Sequence, residues 1–149
     1  MIGTKEYQWY KDNSYLVSGS PSLIVEEEGN YILEIINTRN NVSSTIKSEP
    51  IRVLYVPGEV SIDSVQNTAV AWADNLSLEI VAKISPNQRG SLNYQWEKKI
   101  GDDWTNCTNG NANTYTPSGT GKYRCKVVNV YEGMTTDPVY SDEIDVYSI

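Results

Sequence analysis

The sequence predicts an all-β fold: two tandem antiparallel β-domains of one kind, the first of them incomplete. The first observation is a period of two, the strand period: Leu76, Leu78, Ile80, Ala82 and Ile84 alternate with Ser77, Glu79, Val81 and Lys83. The second is internal repetition. Tyr7-Gln8-Trp9 returns as Tyr94-Gln95-Trp96, Gly29-Asn30-Tyr31 as Gly121-Lys122-Tyr123, and Asn37 as Asn129. Ser48 to Val53 returns as Ser141 to Val146. All these pairs stand about 90 residues apart, the length of one small domain. The third is that no stretch carries a helical stripe with caps.

Taken in order, the first copy spans residues 1–57, with strands expected over 7–11, 23–26, 31–37 and 51–55. Val56-Pro57-Gly58-Glu59 punctuates the chain as a linker. The second copy spans 58–149. Its strands are expected over 60–65, 76–84, 92–99, around Tyr123, Cys125 and Val127, and over 139–147. The turn-rich stretches 85–90, 106–113 and 117–121 separate them. Trp9 has only eight residues before it, whereas Trp96 lies deep in its copy, so the strands that should precede Trp9 are absent. The inward residues Trp9, Leu33, Ile35, Ile51 and Val53 then have no facing sheet. Such a face must be covered by upstream strands, by a partner subunit adding strands, or by a neighbour in a lattice or oligomer.

The composition allows a packed core, with 39% hydrophobic residues. Phe is absent; eleven Tyr and four Trp carry the aromatic mass, which suits half-buried pleated surfaces. A net charge of −7 repels phosphate backbones and argues against a nucleic-acid partner. No apolar run is long enough to span a bilayer, so membrane insertion is not expected. The polar first eleven residues do not look like a signal peptide, so either none is used or the fragment has lost it.

Trp96 and the Tyr123-Arg124-Cys125 stretch carry a resemblance to the immunoglobulin-like domains of bacterial and bacteriophage proteins. The family places a Trp on strand C in the core and a Tyr at the start of strand F, two residues before the second Cys position. The resemblance implies tandem immunoglobulin-like sandwiches. Residues 60–65, 76–84, 92–99 and 139–147 become strands A, B, C and G, and the first copy keeps C, E, F and G. Trp9, Tyr31, Leu33, Trp96, Tyr123 and Cys125 become core residues. The departure is the disulfide. Strand B offers Leu78, Ile80 and Ala82 inward and no cysteine, and Leu33 fills the Cys125 position in the first copy. Cys125 is therefore expected to be a buried small hydrophobe and both cysteines reduced.

Without histidine, the usual bases near neutral pH and the commonest metal ligand are missing. Glu26-Glu27-Glu28 and Asp102-Asp103 are adjacent carboxylates in strand or loop settings. They suit solvated charges and turns better than catalysis or a calcium loop. No catalytic, cofactor or metal site is expected. Trp104, Trp72, Tyr10, Tyr131 and Tyr140 are the candidates for stacking on a glycan or anchoring a protein. Asn41, Asn75 and Asn106 fit the glycosylation pattern.

The function expected on these grounds is a non-enzymatic structural or adhesive module displayed on a bacteriophage virion, as capsid decoration, fibre or tail protein. The Met1 start, the absent signal and disulfide, and a stop just after the last strand fit that placement. The alternatives are a fragment of a bacterial surface adhesin and a carbohydrate-binding accessory module.

Overall fold

The computed structural model describes residues 3–63 and 67–149. Every regular element among them is a strand, and the chain divides into two compact units, Met1–Tyr55 and Val56–Ile149.

In the first unit β1 (Thr4–Lys11) pairs with β2 (Ser14–Ser18) on one side and with β3 (Gly29–Arg39) on the other. β3 also pairs with β4 (Val42–Lys47) and β5 (Ile51–Val53), giving one five-stranded antiparallel sheet. The pairings Trp9↔Leu33, Tyr31↔Ile51 and Ile35↔Ile46 put these residues on one face. Two tight turns set this register. Asp12-Asn13 and Asn40-Asn41 all adopt positive φ, the conformation of two-residue hairpins, which Asn and Asp tolerate better than other side chains.

The second unit holds β6 (Val60–Asp63), β7 (Ala69–Ala71), β8 (Leu78–Glu79), β9 (Val81–Ile84), β10 (Ser91–Ile100) and β11 (Asp103–Asn106). It continues with β12 (Thr114–Tyr115), β13 (Gly121–Tyr131), β14 (Met134–Thr135), β15 (Val139–Tyr140) and β16 (Ile144–Tyr147). β11-β10-β13-β16-β7 form the path of a seven-stranded sheet to which β14 and β15 add through β13. β7 and β16 run parallel. Two short ladders, β8 with β12 and β6 with β9, form the other layer. Leu78 and Ile80 from that layer pack with Trp96, Tyr123, Cys125, Val127, Ile144 and Val146 from the large sheet, and this cluster is the core.

The structure repeats what the sequence repeats. Trp9 Nε1 donates to the Ser20 carbonyl at 3.0 Å, and Trp96 Nε1 to that of Ala112 at 2.9 Å. The Tyr31 hydroxyl donates to the Glu27 carbonyl, and that of Tyr123 to Gly119, both at 2.9 Å. Ser48 exchanges backbone and hydroxyl hydrogen bonds with Leu33 as Ser141 does with Cys125.

Several expectations change. The stretch 23–26 is not a strand, and Ile24 is 91% exposed. Its counterpart β12 exists only because β8 pairs with it, through Tyr115↔Leu78, and the first unit has no such partner. The strand expected over 76–84 is broken at Ile80, whose N–H donates to the Asn113 carbonyl outside any ladder. The strand expected over 139–147 is split into β15 and β16. Of the strand expected over 60–65, Ser64 and Val65 lie outside the described residues. Val56-Pro57-Gly58-Glu59 belongs with the second unit: Pro57 bridges Arg89, and Gly58 N donates to the Arg89 carbonyl. Leu33 is half-buried rather than enclosed.

Candidate functional site

The inner faces carry the fold, which leaves contact chemistry to the outer ones. β10 and β13 place Glu97 opposite Arg124, and Arg124 Nε donates to Glu97 Oε2 at 2.7 Å. Glu97 is buried, so this pair offsets the cost of removing a carboxylate from water. The guanidinium carbon lies 4.3 Å from the Trp104 ring centre and 4.0 Å from that of Tyr140. Three strands, β11, β13 and β15, thus stack an arginine between two aromatic rings. Lys99 Nζ stands 6.0 Å from the Trp104 ring. Cation–π contacts of this kind are worth about 0.5–2 kcal/mol each.

The sequence candidates separate accordingly. Trp104 is half-buried with Arg124 on its ring, so that face is taken by protein. Tyr140, 43% exposed, shares the same arginine. Trp72, 38% exposed, follows β7, and its N–H donates to the Tyr147 carbonyl, extending the parallel ladder. Tyr10 is half-buried on the first unit's outer face, where it donates to Gln8 at 3.1 Å and Lys47 approaches its ring. Tyr131 is half-buried at the end of β13. The structure joins Trp104 and Tyr140 through Arg124. Arg124 itself gave no signal in the sequence, because its partners lie on strands distant in the chain.

A second feature is an open groove of about 650 Å³ at one end of the second unit, lined by Lys98, Thr105, Asn106, Cys107, Thr114 and Tyr115 among others. Its lining is mostly hydroxyl and amide. Burial pushes the Cys107 thiol up, and burial followed by a hydrogen bond with Cys107 pushes Tyr115 up to about 12. Neither group is a poised nucleophile or base at neutral pH. Both cysteines are free, and Cys125 is enclosed in the core, where burial raises its thiol to about 12.

The acidic runs have structural partners. Glu27 forms an ion pair with Lys11, and that hydrogen bond lowers the carboxyl below its usual range. Glu28 Oε1 accepts from Tyr55 N at 2.8 Å, and the Glu26 carbonyl accepts from the Tyr55 hydroxyl at 3.1 Å. Asp102 sits in the exposed β10–β11 turn and Asp103 opens β11. Among the described residues no three His, Cys, Asp or Glu side chains gather as metal ligands, and no helix is long and apolar enough to cross a membrane.

No family model, curated protein or solved structure matches the chain. Its functional reading therefore rests on these residues alone.

Proposed function

We propose that the chain is a non-enzymatic structural and adhesive module of tandem immunoglobulin-like repeats, placed on a bacteriophage virion surface. The observation that carries the reading is the doubled anchor set. A Trp on the strand before the hairpin and a Tyr that donates back to the carbonyl four residues upstream occur in both units. In immunoglobulin-like sandwiches these are the strand-C tryptophan and the tyrosine corner.

The division between faces supports an adhesive role. The inner positions repeat between the units, whereas the outer positions differ: Tyr10 and Ile32 of the first unit stand where Glu97 and Arg124 stand in the second. A common scaffold with different outer faces suits modules that touch different partners. Free thiols suit assembly in a reducing cytoplasm, as virions require.

The neighbouring genes test the placement. Capsid and tail genes on either side are expected. A reading frame continuous with a secreted repeat protein would replace the virion by a cell surface. A second reading, glycan binding, is favoured by the hydroxyl- and amide-lined groove. Binding on a glycan array that Thr114→Val and Asn106→Ala both abolish would support it; an array without signal would remove it.

A further inference from the structure

In the second unit Asn129 closes the fold. Its Nδ2 donates to the carbonyls of Gly58 at 2.9 Å and Arg89 at 2.8 Å, and the residue is fully buried. It thereby ties the segment that enters the unit to the connection arriving from β9. Gly90 makes room for it: with φ at +130°, a Cβ there would lie 1.8 Å from Asn129 Oδ1. After Pro57 and Gly58 the chain runs into β6, β8 and β9; Ile62 of β6, Leu78 of β8 and Ile80 between β8 and β9 pack against the sheet.

The first unit has the same lock, but among the described residues no carbonyl accepts from Asn37 as those of Gly58 and Arg89 accept from Asn129. Asn37 sits on β3 where Asn129 sits on β13, its Oδ1 also buried without a partner. Gly3 stands against it as Gly90 stands against Asn129, and a Cβ there would lie 2.5 Å from Asn37 Oδ1. Yet Val17 is 42%, Ile46 67% and Ile51 53% exposed, on the face that carries Trp9 and Leu33. An apolar sheet face so open calls for a cover.

We propose that this face is built to receive a strand segment equivalent to residues 57–89 of the second unit, arriving at the Gly3–Asn37 side of the sheet. That segment presents aliphatic residues at alternate positions, as Leu78 and Ile80 do, and a carbonyl to Asn37. The Gly3–Asn37 contact selects this occupant over a foreign one, since it marks where the connection from such strands arrives. The inference deepens the repeat reading and rests on it.

The test joins a second copy of residues 57–89 directly to Gly3 of the chain and follows amide exchange by mass spectrometry. Protection of β3 is expected to rise at least about 100-fold, approaching that of β13. The same fusion carrying Leu78→Asp and Ile80→Asp in the added copy is expected to show no rise. No rise in the first fusion, or an equal rise in the second, overturns the proposal. So does a 149-residue chain that dimerises with β3 already protected, because a second copy is then the cover. If the fusion does not fold, residues 57–89 are added as a peptide, and unchanged β3 exchange at saturating peptide overturns it as well. Failure here leaves the repeat reading intact, since that reading stands on the anchor bonds made within each sheet.

Discussion

The two units make the same anchor hydrogen bonds but bury them unequally. Trp96 and Tyr123 are fully buried, and Trp9 and Tyr31 are nearly so, at 9% and 4% exposure. The aliphatic positions diverge: Ile144 is 4% exposed and its counterpart Ile51 is 53%. Local loops are therefore enough to enclose the aromatic anchors, because each ring bonds a carbonyl of the connection folded over it. The aliphatic rows need a second layer, which among the described residues the second unit has and the first does not.

This difference sets the expected size of each perturbation. Trp96→Ala should cost about 3–5 kcal/mol, read from the denaturation midpoint of the second unit. Trp9→Ala should cost less than Trp96→Ala, because its ring, 9% exposed, also borders a groove with Val17 and Leu23 where Trp96 is enclosed on every side. Equal losses, followed as amide exchange in β3 and β13, would erase the contrast. Ile144→Ala should cost about 2–4 kcal/mol and Ile51→Ala less than about 1 kcal/mol. A large loss at Ile51 would mean that its face is already covered in solution.

Tyr31→Phe and Tyr123→Phe sharpen the comparison from the other side. Each removes one hydroxyl bonded to a carbonyl at 2.9 Å, so each should cost about 1 kcal/mol, and by the same amount in both units. A clear inequality would tie the corner to the second layer. A further contrast is alkaline. Cys125 in the folded chain keeps its proton up to about 12, against about 9 when unfolded. Its contribution is whole below about 9 and fades as pH rises toward 12, by up to about 1.4 kcal/mol per pH unit. Cys125→Ala should flatten that decline in the second unit. The first unit has Leu33 in its place and should lack this part of the slope.

How far the sequence discloses this architecture depends on whether a residue's partners are near or periodic. Tyr123, Cys125, Val127 and Asn129 alternate on one strand, and all four are buried. The hydroxyl bonds of Tyr31 and Tyr123 each span four residues and are legible for the same reason. β2 and β4 are hard to read from the sequence because their faces are exposed and weakly patterned, although Asp12-Asn13 and Asn40-Asn41 are the hairpin signal that marks them. The expected strand over 23–26 failed because a strand is a property of a pair, and β8 has no counterpart in the first unit. The Trp104–Arg124–Tyr140 stack was invisible, since its three members meet only when β11, β13 and β15 join one sheet.

The parallel pairing of β7 with β16 bears on what happens when the second unit is pulled from its ends. Tension applied at Ile149 and at Val56 draws these two strands lengthwise past each other. It does not peel one from the other rung by rung. Asp145 N to the Thr68 carbonyl, the ladder from Asp145↔Ala69 to Tyr147↔Ala71, and Trp72 N to the Tyr147 carbonyl then resist together. Single-molecule stretching of the second unit should show one abrupt rupture, and Val70→Pro, which removes a donor from the middle of this ladder, should lower its force. A gradual extension without a peak would show that the terminal strands do not act as the mechanical clasp.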